Sequence, residues 1–598
     1  MKLKYFFLLL LSLYIVNCTF YIEAQATIRY VSKTGNSTPP YTSWATAADS
    51  IQKCINICVD GDTIYVANGI YKENLIINNI TIYLSGSSMD STIVDGVGLS
   101  DSTIFFNNSN STIENFNIYG KGIGSYSYAV AYGNLPLNIK NCRISKTGYG
   151  IVSIGNAGVF AFNLILETIT VHGFGLFNNS NNLISSCVII LNTEDSRGIL
   201  IGGPNTNSVY TITNNIIMFT GTNNQSAIGL SIGPTRKAYL NNNLISKLGA
   251  VYFYDRVYDT AFVKNNVFTS GAGISSSGNR VYANNLIMIK NYFGIDQLGA
   301  GYVSSDYNLF WENVFDFFRG PSYGDSDIVA KDPMFVNDTI PTANGSYDFH
   351  LQKYSPAIDK GDPTILDVDG SRSDIGMYGG PFGQTYTYQD LAPLAPRNLS
   401  AVVDTNLILV KWNRNTEADT SYYKVYRDTV LNFHIDSTKL VSSSSDTFFV
   451  QPNPHINTRF VYKVTCVDNQ DNESLPSNEL VVSITSFSTN DYPMTISDYV
   501  LYQNYPNPFN PSTKIGYQLK VRSYVKLMVY DIKGELVAVL VNKEQNAGYY
   551  EAEFVGSGLP SVPNVEGLAS GIYLYRIEVI GEGKIPVYTE MKKMLMIK

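Results

Sequence analysis

Charge is scarce in this chain. Charged side chains make up 15% of its 598 residues, against roughly 25% in an average globular protein. The 42 basic groups are outnumbered by 50 acidic ones, giving a formal net charge of −8. Such a balance argues against nucleic-acid binding, which needs a basic face to neutralise phosphates. Cysteine is sparse as well. Beyond Cys18 there are five, Cys54, Cys58, Cys142, Cys187 and Cys466. An odd, scattered set is no disulfide framework, and these side chains read as small core residues. The four histidines, His172, His350, His434 and His455, are far apart, and no CxxC pair exists; a zinc site is not indicated. With 47 glycines and 23 prolines, the chain is not collagen-like. No apolar stretch after the first residues is long enough to cross a bilayer.

What is present begins with an export signal over residues 1–26. Lys2 and Lys4 supply the positive start, Phe6 to Val16 the apolar run, and Ala24-Gln25-Ala26 a cleavage site. Asn17 stands where a lipoprotein box before Cys18 would want a small residue. Polarity beyond this point comes mainly from Asn, Ser, Thr and Tyr, the composition of an uncharged, β-rich extracellular protein.

A tetrad then recurs: a small polar residue, usually Asn, an apolar residue, any residue, and usually another apolar one. It starts at Asn115, Asn141, Thr168, Ser186, Asn215, Asn243, Asn266, Asn285 and Asn308, at intervals of 18 to 29 residues. A period near this length signals a solenoid. Alternation such as Ile169-Thr170-Val171 is strand-like, and the intervening Gly, Asn and Ser mark turns. The pattern predicts an all-β chain whose residues 27–390 form a parallel β-helix. The tetrad Asn is expected to stack in register with its neighbours, as amides do in cross-β ladders. Solenoid ends need caps. A short capping helix is expected over residues 43–58, with Ser43 as N-cap, ahead of a first strand starting at Gly61-Asp62-Thr63-Ile64.

Tyr30-Val31-Ser32-Lys33-Thr34-Gly35, Trp44, Gly61-Asp62-Thr63-Ile64 and Asn68-Gly69-Ile70-Tyr71 resemble the opening of bacterial right-handed parallel β-helix proteins of the pectate-lyase-like superfamily. Asp332-Pro333-Met334-Phe335, Ser355-Pro356-Ala357-Ile358-Asp359 and Asp374-Ile375-Gly376-Met377-Tyr378-Gly379 are similar to the closing segments of such helices in surface proteins. The resemblance implies a right-handed coil and, in some members, lyase or hydrolase activity on polysaccharides. Lyase chemistry needs a cation and a base, and hydrolase chemistry paired carboxylates. Asn192-Thr193-Glu194-Asp195 and Arg319-Gly320-Pro321 complete neither pattern, so no catalytic residue is assigned.

The best cluster for a saccharide is Tyr252, Tyr254, Asp255, Arg256, Tyr258, Asp259 and Lys264, which combines aromatic platforms with charged groups. Asp367 and Asp369, followed by Asp374, offer oxygen ligands at calcium-like spacing without the full twelve-residue loop; an Asp- and Gly-rich turn is the blander explanation. His172 should face outward as a surface residue.

Two further modules follow. Residues 391–486 carry alternating strands around Trp412, Tyr422-Tyr423-Lys424-Val425 and Tyr462. They predict an antiparallel sandwich and resemble fibronectin type III, with Trp412 in the core and Tyr462 as a tyrosine corner. After a linker at 487–499, residues 500–598 contain Leu501-Tyr502-Gln503-Asn504-Tyr505-Pro506-Asn507-Pro508-Phe509-Asn510-Pro511, Val529-Tyr530-Asp531-Ile532-Lys533-Gly534, Leu568-Ala569-Ser570-Gly571-Ile572-Tyr573 and Lys592-Lys593-Met594-Leu595. This resembles the type A sorting domain of the type IX (Por) secretion system. It implies a second sandwich read by that machinery, and a secreted or outer-surface location in a bacterium with an outer membrane. The leading expectation is recognition of an extracellular polysaccharide, or of a surface, by the helix flank, and the tyrosine content of the chain, 44 residues in all, suits sugar contact. A polysaccharide lyase or glycoside hydrolase on the same flank is the alternative, and a non-catalytic structural surface protein the third reading.

Overall fold

Alternating apolar residues and polar corners fold residues 28–329 into short parallel strands, each coil hydrogen-bonding to the next. A computed structural model describes residues 26–124, 126–177, 180–202, 208–221, 227–233, 237–249, 251–254, 260–339, 346–404, 407–455, 457–483, 499–504, 507–555, 568–581 and 586–597. The coils form a right-handed parallel β-solenoid of about 11 turns. One face is a 12-stranded sheet running from Ile28–Val31 to Tyr302–Asp306, and a 21-stranded sheet forms the rest of the wall. Long strands carry that second sheet around a corner. Arg143–Ser153 pairs through its first half with Asn117–Gly122 and through its second with Tyr128–Tyr132, with a register shift between.

The interior is a set of stacked columns. Ile64, Leu84, Ile113, Ile139, Ala161, Ile184, Ile212, Leu240, Val263 and Ala283 follow one another in strand register and are buried. Each fully buried aliphatic side chain contributes roughly 1.5–3 kcal/mol. At the first rung the same column holds Arg29, paired with Ile64 in register. Its Nε donates to Asp62 Oδ2 at 2.7 Å, and its guanidinium also donates to the Pro40 carbonyl at 2.8 Å. Asp62 further accepts from the backbone of Thr27 and Val59. Burial acts to raise the Asp62 pKa, but these hydrogen bonds and the Arg29 charge hold it below the usual carboxylate range. A polar pair therefore closes the apolar column where no further coil covers it.

The corners revise the expected tetrad. A left-handed residue recurs at Asn115, Asn141, Asn163, Ser186, Asn214, Asn242, Asn265, Asn285 and Tyr307. Asn tolerates this conformation better than other residues with a Cβ. The residue after each corner points inward: Phe116, Cys142, Leu164, Cys187, Asn215, Asn243, Asn266, Leu286 and Asn308 are all buried. The tetrad thus merges two positions one residue apart, and Thr168 belongs to a different corner of its coil, whose matching residue is Asn163. A buried amide ladder does form where the inward position is Asn in successive coils, and the buried corner residues Asn285 and Asn265 are also joined, Asn285 Nδ2 donating to Asn265 Oδ1 at 3.4 Å. Asn215 Nδ2 donates to Asn243 Oδ1 at 3.0 Å, and Asn243 Nδ2 to Asn266 Oδ1 at 2.9 Å.

The capping helix is shorter than expected. α1 spans Ile51–Ile55 with Ser50 as N-cap. Ser43 instead forms a local turn with Thr46. Glu73, from a later coil, accepts from the Ile51 and Gln52 amides and so closes the helix start. Ile28–Val31, rather than Thr63–Val66, is the first strand. The described cysteines are unpaired thiols, all buried except half-buried Cys58.

After the last coil the chain folds back along one flank. Phe335, Phe349, Leu351, Ala357 and Ile375 pack on Leu244, Val267, Ile287 and Leu309. Asn242 Nδ2 donates to the Met377 and Gly379 carbonyls, Asn265 Nδ2 to the Asp374 carbonyl, and Asn285 Oδ1 accepts from the Asp362 amide. The corner amides thereby hold the closing segment in place.

Two compact units divide the chain, Met1–Ile484 and Thr485–Lys598. The first includes an antiparallel sandwich of three- and four-stranded sheets between Ser400 and Ser483. Trp412 and Tyr423 are buried in its core, their rings 5.5 Å apart. Tyr462 donates to the Gln451 side chain, where a tyrosine corner would bond to backbone. Thr416 Oγ1, bonded to Asp332 Oδ2 at 2.5 Å, ties this sandwich to the closing segment. The second unit holds another three-plus-four sandwich around Leu501, Phe509, Ile515, Tyr517 and Tyr575. Asn504 accepts a packing role there: its amide N–H donates to Tyr575 Oη and its Nδ2 to Thr513 Oγ1, both at 2.9 Å.

Candidate functional site

Outward residues of the 12-stranded sheet also form columns, three residues and one residue before each corner. In the first, Phe160, Leu183, Thr211, Tyr239, Phe262 and Tyr282 are successive register partners. In the second, Phe162 is followed by Ser185, Thr213, Asn241, Lys264 and Asn284. Strand spacing places consecutive members of a column roughly 4.8 Å apart along the solenoid.

Where both columns change from Phe to smaller residues, the surface sinks into a groove of about 550 Å³. Leu183, Ser185, Val209, Thr211 and Thr213 line it together with Phe160, Phe162, Asn181 and Asn182. Phe382 joins the lining from the closing segment, 51% exposed. The volume lies within the usual range of about 300–1,000 Å³ for small-ligand pockets. Asn181 Oδ1 accepts from the Val209 amide and Asn182 Oδ1 from the Val159 amide, so both asparagines are fixed. Thr213 Oγ1 is buried without a hydrogen-bond partner. None of the lining residues is titratable. The groove therefore offers aromatic edges, hydroxyls and amides, but no general acid or base.

Beyond Thr211 the first column becomes a ladder of rings. Tyr239 and Phe262 stack with centroids 5.3 Å apart, and Phe262 and Tyr282 with centroids 5.5 Å apart. Ser304 follows Tyr282 in register, and Tyr302, two residues before it, lies edge-on to Tyr282 at 6.5 Å. Because each ring lies against the next, the ladder presents edges and hydroxyls outward and keeps its spacing without solvent support.

The residues predicted from sequence distribute differently. Tyr252 and Tyr254 stack at 5.8 Å, but on the 21-stranded sheet, with Tyr254 Oη donating to the Ile201 carbonyl at 3.2 Å. Lys264 lies on the 12-stranded sheet beside the ring ladder. Asp255, Arg256, Tyr258 and Asp259 fall outside the described residues. Near Tyr252, Ser275 is in register with Asp296, whose carboxylate takes two hydrogen bonds from Arg319, both at 2.8 Å. That pair neutralises the one cation the Arg319-Gly320-Pro321 run offered.

Asp367, Asp369 and Asp374 serve the closing segment. Asp367 accepts from the Asp374 and Gly380 amides, and Asp369 Oδ1 from the amide and hydroxyl of Ser371. Asp374 accepts from the Asp359 amide and the Tyr388 hydroxyl. Burial, with the Asp367 and Asp359 charges, outweighs those bonds and pushes its pKa up to about 6. Among the described residues the three do not form a converging group; Asp390, Asp419 and Asp468 do. His172 is not a surface residue: it is 6% exposed, edge-on to Tyr149 at 5.0 Å. Burial, with the Arg197 charge, pushes its pKa down to about 4.

The groove and the ladder were missed because the tetrad frame discards the residues before each Asn. Counting back three from the true corners would have aligned Tyr239, Phe262 and Tyr282. Phe382 had no signal in that frame, since it arrives from a segment far along the chain.

The strand pairing defines the class: a right-handed parallel β-solenoid followed by β-sheet modules. No protein-family model and no curated protein matches the chain. Among solved structures it is similar to the pectate lyase Pel9A, at 14% identity and a TM-score of 0.39 over 59% of this chain and 96% of that one. The third fibronectin III domain of human KIAA0343 protein is 20% identical, with a TM-score of 0.14 over 18% of this chain and 96% of that domain. The FN1–FN3 domains of chicken CNTN1 are 11% identical, with a TM-score of 0.15 over 36% of this chain and 71% of that one. Scores this low carry no inference about activity. Among the described residues no helix is long and apolar enough to cross a membrane.

Proposed function

We propose that the protein is an extracellular or surface-displayed solenoid that binds a neutral polysaccharide along its 12-stranded sheet. The observation that carries this reading is the uncharged groove at Leu183 and Thr211, continuous in register with the Tyr239–Phe262–Tyr282 ladder. A sugar chain combines apolar C–H faces with hydroxyls, which suits aromatic edges flanked by Thr, Ser and Asn side chains. With no titratable group in its lining, this groove favours binding over cleavage. The export signal at 1–26 and the sorting-domain motifs of 500–598 support delivery by the type IX machinery. The test is electrophoresis of the full chain through gels containing neutral or acidic glycans, with and without calcium. Retardation by a neutral glycan that is reduced in Phe262→Ala and Phe382→Ala supports the reading. Retardation unaffected by both variants, or release of new reducing or unsaturated ends, refutes it.

A further inference from the structure

We propose that Asp390, Asp419 and Asp468 form a divalent-cation site of calcium chemistry, which joins the first sandwich to the closing segment of the solenoid. One carboxylate oxygen from each lies within 4.8 Å of the other two. They come from three places in the fold. Asp390 follows Gln389, which bridges to Gln352 in the closing segment. Asp419 immediately precedes the strand Thr420–Asp428, and Asp468 ends its partner strand Arg459–Asp468. Pairing of Thr420 with Asp468 sets these two side by side.

Their surroundings do not balance three negative charges. Asp468, 1% exposed, accepts from the Gln470 and Asn472 amides and from Asn472 Nδ2. Asp390 accepts from Asn472 Nδ2 at 3.1 Å and from Lys353 Nζ at 3.4 Å. Both of those Asp390 contacts are solvent-exposed. Asp419 differs: it is 7% exposed, and the one donor shown for its carboxylate is its own backbone N–H. Burial, together with the charges of Asp468, Glu417 and Asp390, raises its pKa. A carboxylate this buried requires a partner. The neighbours it points toward are themselves anions, so the missing partner is a cation. Three hard oxygen donors from one charged cluster suit Ca²⁺, with water completing its six to eight ligands. Asp367 and Asp374, the earlier calcium candidates, contrast with it, because backbone amides and Tyr388 already occupy their oxygens.

The experiment is calorimetric titration of the EDTA-stripped full chain with CaCl₂, combined with thermal unfolding in EDTA and in calcium. One saturable equivalent is expected, with a higher melting temperature in calcium. Asp419→Asn should weaken binding by at least about tenfold, because a charged ligand is lost. In EDTA the same variant should melt no lower than wild type, since one of three repelling charges is gone; a merely structural role would lower it there too. Asp390→Asn, at the exposed position, gives a second variant that keeps the buried framework and should also lose affinity. Absence of saturable binding up to about 1 mM, the weak end for extracellular calcium modules, overturns the proposal. So does undiminished binding in both variants, which would place the ion elsewhere.

Discussion

Asn243→Leu is the sharpest perturbation of the solenoid. Asn243 is fully buried, and its side chain makes four hydrogen bonds. Its Oδ1 accepts from the backbone and side-chain amides of Asn215, both at 3.0 Å, and its Nδ2 donates to Ile212 O and Asn266 Oδ1, both at 2.9 Å. Leucine fits the column sterically, because Leu164 and Leu286 occupy equivalent positions. The volume is therefore acceptable and the loss is polar. The Asn215 backbone N–H and one Asn215 Nδ2 proton lose their acceptor inside a dry core. At roughly 1–3 kcal/mol for each orphaned group, the cost is about 2–6 kcal/mol. Added apolar contact offsets about 1 kcal/mol of this. Urea unfolding followed by far-UV circular dichroism should show a clearly lower midpoint for the solenoid transition. A change below about 1 kcal/mol would show that the ladder fills space rather than satisfying buried amides.

Other outcomes can be checked in parallel. Asp62→Ala leaves Arg29 buried without its counter-ion and should cost about 3–5 kcal/mol by chemical unfolding. Because the Asp62 pKa is lowered in the fold, its contribution is present above the unfolded carboxylate value and should fade as pH falls through the acid range. Asp374 acts in the opposite sense. Its native pKa of about 6 means that stability should fall by about 3 kcal/mol as pH rises from about 3 to 7, and Asp374→Asn should flatten that slope in melting curves. Gly148→Ala would place its Cβ 1.9 Å from the Gly124 carbonyl oxygen. A cost of about 1–3 kcal/mol is expected by urea titration, and an unchanged midpoint would contradict the close approach of these coils. Phe382→Ala should reduce glycan retention in affinity electrophoresis while leaving the melting temperature within about 1 °C, since an exposed side chain contributes little to stability.

Much of the fold was legible because a solenoid repeats one local problem. Each coil must turn a corner and bury alternate residues, so Asn and alternating aliphatics recur at coil length. The frame was still misread by one residue in part of the array. Asn serves both the left-handed corner, as at Asn141, and the inward ladder, as at Asn243, and composition does not separate the two roles. The helix was overextended for a similar reason. Ala47 and Ile51 are both buried, but only the segment after Ser50 is helical, because Ser43 and Thr46 satisfy each other in a turn. The cluster around Tyr252 joined residues that are near in sequence, although strand direction sends Tyr252 and Lys264 to different sheets.

By itself, the order of residues determined the period, the inward columns and the all-β character, since these depend on alternation and turn chemistry within one coil. Tertiary structure alone decided which outward residues meet. Tyr239, Phe262 and Tyr282 become a ladder, and Phe160 and Phe382 come to share one groove, through interstrand register and the folding-back of the closing segment. Both are settled by contacts between distant coils, and neighbouring residues along the chain carry no mark of them.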